Sequence, residues 1–199
     1  MTLRHDSTIN RVSQILAEVI REVLSINTGT TLRIAPTLQK LEFVALRPDI
    51  AAFVEFNGDY NGLLCMNFSY KAALELYRTS MLFLGVPEAE IATDPYSDEV
   101  TNFIGEMVNQ IIGNFRKKVE NTYGLSATNH QPRAIPISHT IVMYINTLSN
   151  AQQCRRLCFR TKDGNPFYAE ISLEQTEFIP VETNEGTESL AEDLLKELF

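Results

Sequence analysis

Apolar residues recur at every third or fourth position in some stretches of this chain and alternate or cluster in short runs in others, which separates helix from strand before any chemistry is considered. Residues 8–26 place Ile9, Val12, Leu16, Val19, Ile20 and Val23 on one side of a helix. Short strands are expected over 30–34 and 41–46, with Pro36 and Pro48 as punctuation. In AAFVEFNGDYNGLLCMNFS two apolar runs flank residues 57–62, where Asn and Gly can take the left-handed positions of a hairpin turn. A helix over 70–84 ends at Gly85, and residues 86–96 form a loop.

The longest helix spans 97–124. Ser97 is its N-cap, Asp98 and Glu99 suit its positive end, Arg116 to Lys118 suit its last turns and Gly124 stops it. Its apolar stripe of Val100, Ile104, Met107, Val108, Ile111 and Phe115 faces a core. The segment SATNHQPRAIPIS reads as a loop with two prolines. Strands are then expected over 140–148, 154–160 and 166–173, the last two joined by a turn at 162–165. The final GTESLAEDLLKELF reads as a short amphipathic helix with Leu190, Leu194, Leu195, Leu198 and Phe199 apolar, tethered by residues 176–187.

These elements make an α+β protein, a mainly antiparallel sheet of about six strands with long helices packed on one face. A chain of 199 residues with 44% hydrophobic content fills one core, so residues 1–175 are expected to be a single domain and 176–199 an extension. That extension is acidic: from Glu174 onward eight carboxylates face Lys196 alone, which accounts for −7 of the formal charge of −8. The body is nearly neutral and has no basic stripe interleaved with aromatics, which argues against nucleic acid. Residues 1–7 are polar and no run of 18 apolar residues occurs, so no membrane segment and a cytoplasmic location are expected. The three cysteines, Cys65, Cys154 and Cys158, lack zinc-ligand spacing and read as reduced, buried or half-buried thiols. Arg155, Arg156 and Arg160 read as a charged, solvated strand edge. His130 and His139 lie near the prolines without a carboxylate or thiol partner set by sequence, and no catalytic role is assigned to them.

The opposite face of the long helix carries Asn102, Glu106, Asn109, Gly113 and Arg116 at helical spacing. An amide has no usable pKa, so Asn109 can act only by orienting something through hydrogen bonds. Glu106, one turn earlier, can accept a proton or grip a cation. With no His or Cys beside them, the pair suits completion of another molecule's site. Gly105 and Gly113 each cost the helix about 1 kcal/mol relative to Ala, which close approach of another backbone would offset.

IGEMVNQIIGN resembles the signature helix of the CheX/CheC/FliY phosphatases of bacterial chemotaxis. Their pattern is Asp or Ser, three residues, Glu, two residues, Asn, and a Pro well beyond the helix. The matching positions are Asn102, Glu106, Asn109 and Pro132, and Asn102 departs from the family's Asp or Ser. The N-terminal helix is most similar to that of the single-site CheX type. At the spacings of a second site it has Gln14, Glu18 and Arg21, so that half is expected to be catalytically silent. The resemblance implies two pseudo-repeated halves, a homodimer, and hydrolysis of the phospho-aspartate of a CheY-type receiver domain. In that scheme Glu106 pairs with the receiver's active-site Lys and Asn109 orients the attacking water. Asn102, Gly105, Gly113 and Pro132 form the docking surface. The chain needs no cofactor of its own, because the receiver supplies Mg²⁺. A receiver-binding module without hydrolysis, or a flagellar-switch or assembly component, are the other functions open to the same fold.

Overall fold

A computed structural model describes residues 7–143 and 152–179. Among the described residues three α-helices and ten strands follow one another as α1 (Thr8–Thr28), β1 (Arg33–Ile34), β2 (Gln39–Leu41), β3 (Val44–Leu46), β4 (Ile50–Gly58), β5 (Gly62–Phe68), α2 (Tyr70–Phe83), α3 (Asp98–Tyr123), β6 (Ala127–Asn129), β7 (Arg133–Pro136), β8 (Ile141–Met143), β9 (Gln152–Arg160) and β10 (Pro166–Glu174), with a single 3-10 turn at Glu88–Glu90 before α3. The strand residues expected beyond Met143 and the C-terminal helix with its apolar residues lie outside the described residues.

The main sheet is antiparallel throughout and runs β1-β9-β10-β5-β4-β6, with β2 also pairing β9 and β7 also pairing β4. Eight strands thus occupy six positions, because each edge is laid in two short pieces. The same order occurs twice: a long helix, then an edge strand broken around a proline. Pro36 lies in the break after α1 and Pro132 in the break after α3. Short, interrupted edges leave little ladder for unwanted pairing. The segment expected as a proline loop is therefore β6 and β7, held by pairing to β4, which precedes them by about 70 residues or more. The strand expected over 41–46 is likewise two, since Val44–Leu46 leaves the main sheet to pair with β8.

Alternation along the strands decides which face meets which layer. Phe167, Ala169, Ile171 and Leu173 of β10, with Leu157 and Phe159 of β9, join the stripes of α1, α2 and α3 in the main core. Ile9, Val12, Leu16, Val19, Ile20 and Val23 of α1 are all buried, as are the six apolar residues expected on α3. The other face carries a smaller cluster of Val44, Leu46, Ala51, Leu63, Cys65 and Cys154 beneath the β3–β8 ribbon.

That second face holds Glu170, which is fully buried. Its carboxylate accepts from Ala45 N at 2.9 Å, from Arg47 Nε at 3.1 Å and from Arg156 Nε at 2.9 Å. A buried carboxylate persists only with such partners, and these tie the ribbon to the sheet. The arginines do not mark a sheet edge, since β9 is flanked on both sides: Arg155 donates from Nε to Asn10 Oδ1 at 2.8 Å and Arg156 pairs with Glu170, while Arg160 is exposed. Cys65 and Cys154 are buried and Cys158 is half-buried, all three unpaired. Burial raises each thiol above its ordinary pKa.

Candidate functional site

Local chemistry fixes α3 at both ends. The Ser97 hydroxyl accepts from Val100 N, and Gly124 leaves the helix at φ 68°, a left-handed position that glycine occupies without steric cost. Hydrogen bonds from its own backbone N–H and from Ser97 hold the Glu99 carboxyl below its usual range at the positive helix end. Between these caps the buried stripe anchors the rod, and the polar face is presented by a rigid element.

Asn102, Glu106 and Asn109 are exposed on that face. Among the described residues none of the three side chains makes a hydrogen bond or an ion pair, their backbones being part of α3. Asn102, Gly105 and Glu106 form one wall of a cleft of about 640 Å³, and His130, Pro132 and Arg133 at the break between β6 and β7 line it opposite. Pro132 is buried, so its fixed φ holds the far wall against the helix. A Cβ on Gly105 would lie 4.0 Å from Ala134 N and Cβ, an ordinary contact, and one on Gly113 would meet nothing within 4 Å. Neither glycine is therefore required by a close approach within this chain.

Asn109 lies one turn beyond the cleft wall and Gly113 a turn further, outside the lining residues. Arg116, expected on the same face, instead donates from Nη1 to Ala127 O and staples α3 to β6. Lys118 likewise serves packing: its Nζ lies 2.9 Å from Glu18 and 3.3 Å from Glu22 of α1, and the hydrogen bond to Glu18 raises its pKa. Neither cation falls in the last turn of α3. On α1, Gln14 and Arg21 are exposed and Glu18 is engaged with Lys118. The cleft adds His130, Gln131 and Arg133, whose proximity to α3 depends on the β7–β4 pairing. Among the described residues no group of three or more His, Cys, Asp or Glu is placed to hold a metal ion. No helix among them is long and apolar enough to cross a membrane.

Helices packed on a six-position antiparallel sheet are a fold that this chain shares with solved structures of CheX and CheC-like chemotaxis proteins. The crystal structure of a chemotaxis protein CheX from Desulfovibrio desulfuricans has 20% sequence identity over 82% of this chain and 99% of its own, with a TM-score of 0.65. A CheC-like superfamily protein from Shewanella matches at 16% identity over 82% of this chain and 97% of its own, TM-score 0.65. CheX in a CheX–CheY–BeF3–Mg complex from Borrelia burgdorferi matches at 14% identity over 82% of this chain and 98% of its own, TM-score 0.63. By sequence, the chain belongs to the family described as protein of unknown function DUF3334, whose model matches residues 6–198. No curated protein sequence matches it.

Proposed function

We propose that this chain docks a phosphorylated CheY-type receiver domain on the exposed face of α3 and hydrolyses its phospho-aspartate. The observation that carries the reading is the pair Glu106 and Asn109, one turn apart on a rigid helix, exposed and without a partner among the described residues. Polar side chains left free on a capped helix are available to a second molecule without breaking anything in the first. A structure of the same fold, at 14% identity, is a CheX–CheY complex, which supports a CheY-like partner.

In this scheme Glu106 accepts the ammonium of the receiver's active-site Lys and sets the pose. Asn109 reaches past the cleft into the phosphorylation site and aligns a water with the phosphorus. As the water oxygen bonds to phosphorus, the bond to the aspartyl oxygen breaks, leaving inorganic phosphate and a free carboxylate. The receiver's own Mg²⁺ neutralises the phosphoryl oxygens. This chain contributes orientation and electrostatics. Asn102, Gly105 and Pro132 shape the cleft that receives the receiver's loops, and Gly113 leaves room further along the helix. A homodimer of the CheX type belongs to the same reading.

Phosphate release from phosphorylated receiver domains tests it. Asn109→Ala should slow turnover by about 10² or more with docking retained, whereas Glu106→Ala or Glu106→Lys should chiefly weaken association. Unchanged release with Asn109→Ala would overturn the mechanism. Asn102, standing where the family has Asp or Ser, favours a second reading, a receiver-binding module without hydrolysis. A phosphorylation-dependent complex that keeps its phosphate would identify that module.

A further inference from the structure

The edge of the sheet opposite the α3 cleft carries a concentration of positive charge that the phosphatase reading does not use. In the β1–β9 ladder Arg33 stands directly across from Arg160, and like charges in directly opposed antiparallel positions destabilise the pairing. Arg156 lies on the same face of β9, because residues 156, 158 and 160 alternate away from Leu157 and Phe159 of the main core. Ala35 N still donates to Cys158 O of β9 at 2.9 Å; the chain leaves the ladder at 36–38, and a cleft of about 430 Å³ opens there, lined by Arg33, Arg156, Arg160, Gln39, Cys158 and Tyr168 among others. No carboxylate appears among its described lining residues.

The three guanidiniums differ in how they are held. Arg156 is fixed: it donates to buried Glu170, at 2.9 Å from Nε and 2.8 Å from Nη2, and lies 5.7 Å over the Tyr168 ring. The single charge of Glu170 is already shared with Arg47. Arg160 spends one donor on Gly164 O at 2.9 Å. The Arg33 guanidinium makes no hydrogen bond or ion pair among the described residues, although its backbone belongs to the β1–β9 ladder. Edge protection against strand pairing would need a charge on the outermost strand alone, whereas here the opposing charges sit on an edge strand and on the inner strand facing it. An anion placed between Arg33 and Arg160 would relieve their repulsion.

We propose that this cleft binds a small molecule through a phosphate or diphosphate group. Planar guanidinium forks match phosphate oxygens bidentately. Arg33 and Arg160 grip the phosphate oxygens from two strands, Arg156 supplies a preset third charge, and Gln39 and Tyr168 line the space for the remainder of the ligand. The cleft volume lies within the range of small-molecule sites, about 300–1,000 Å³. The site is independent of Glu106 and Asn109.

Inorganic pyrophosphate is the probe, titrated calorimetrically into the full chain, with citrate as an anion of comparable charge lacking phosphorus. Saturable one-to-one binding is expected, weakened tenfold or more by Arg33→Gln and further by Arg33→Gln with Arg160→Gln, unchanged by Asn109→Ala, and accompanied by a rise in Tm that the double variant loses. Both arginines are exposed, and folding of each variant is checked by its Tm without ligand, which removal of the like-charge pair leaves level or higher. Absence of saturable binding, or binding indifferent to the double variant, would overturn the site. Equal binding of citrate would overturn the assignment to phosphate.

Discussion

Tyr60 shows how a single side chain can combine a packing role with an unmet polar demand. It is fully buried between strands and helix, with its ring 5.6 Å from Phe56 and 5.7 Å from Phe178, yet its hydroxyl has no hydrogen-bond partner among the described residues. Burial pushes the phenol from 10.0 up to about 12, with Arg116 pulling the other way and Glu120 and Asp59 reinforcing the rise. The sign follows directly. Below pH 10 the group is neutral whether the chain is folded or not, and its contribution is fully present. From pH 10 to about 12 the unfolded chain ionises first, so stability falls as pH rises, by a total of roughly 3 kcal/mol. Tyr60→Phe removes an unsatisfied hydroxyl and should change stability at pH 7 by less than about 1 kcal/mol. Urea unfolding at pH 7 and at pH 11 checks both: the variant should gain on the wild type as pH rises. Parallel losses in the two proteins would place that alkaline sensitivity elsewhere. The sequence showed Tyr60 only as one residue of a turn, because its enclosure depends on α3 and on Phe178 closing over it.

At the scale of elements, glycine separates what the fold needs from what a partner would need. Gly58 and Gly62 flank the β4–β5 turn, and neither has a positive φ; the left-handed turn expected there does not form. Space is the reason for both. A Cβ on Gly62 would lie 2.2 Å from the Phe56 ring and 2.6 Å from Ser172 O, and one on Gly58 would lie 2.5 Å from Ser126 O. Gly62→Ala should therefore destabilise by about 1–3 kcal/mol or more through overpacking. Gly113→Ala, in open space, should stabilise the free protein by up to about 1 kcal/mol through helix propensity while weakening receiver association. Thermal unfolding and a binding titration on both variants check the contrast, and undiminished association by the Gly113 variant would remove that residue from the docking surface. The two long helices were legible to within two residues, since their caps and stripes are local. β6 and β7 were not: three- and four-residue strands beside prolines have no period of their own and exist because β4 offers them a ladder. The same limit hid Glu170. A polar residue in an apolar strand is visible in the sequence, but its partner Arg47 lies 123 positions away.

For the molecule as a whole, chain order concentrates closure at one place. After β10 the chain crosses to the start of α1, where Glu177 accepts from Thr8 N at 3.2 Å and from Thr8 Oγ1 at 2.8 Å, and Phe178 N donates to Thr8 Oγ1 at 2.7 Å. Arg11 Nη2 donates to Phe178 O at 3.0 Å, and the Phe178 ring lies 5.2 Å from Tyr123. The beginning of α1, the end of α3 and the turn holding Tyr60 thus meet on residues 177 and 178, two of the twenty-four placed in the acidic extension by composition. Charge averaged over that stretch obscured one buried aromatic residue, which is why its packing was not legible. Removing a buried Phe side chain costs about 3–5 kcal/mol in a core, and Phe178, still 6% exposed, should fall near the lower end. Phe178→Ala is expected to lose about 3 kcal/mol in urea unfolding, and a chain ending at residue 175 should be less stable than one ending at 179 by a similar or larger amount. Equal stability of the two truncations would show that the segment rests on the domain without holding it. The cleft and the exposed face of α3 lie toward the other end of that helix, so receiver-dependent phosphate release by the Phe178 variant, measured below its unfolding range, should match the wild type. That separation distinguishes a closure that stabilises the helix from a face that uses it.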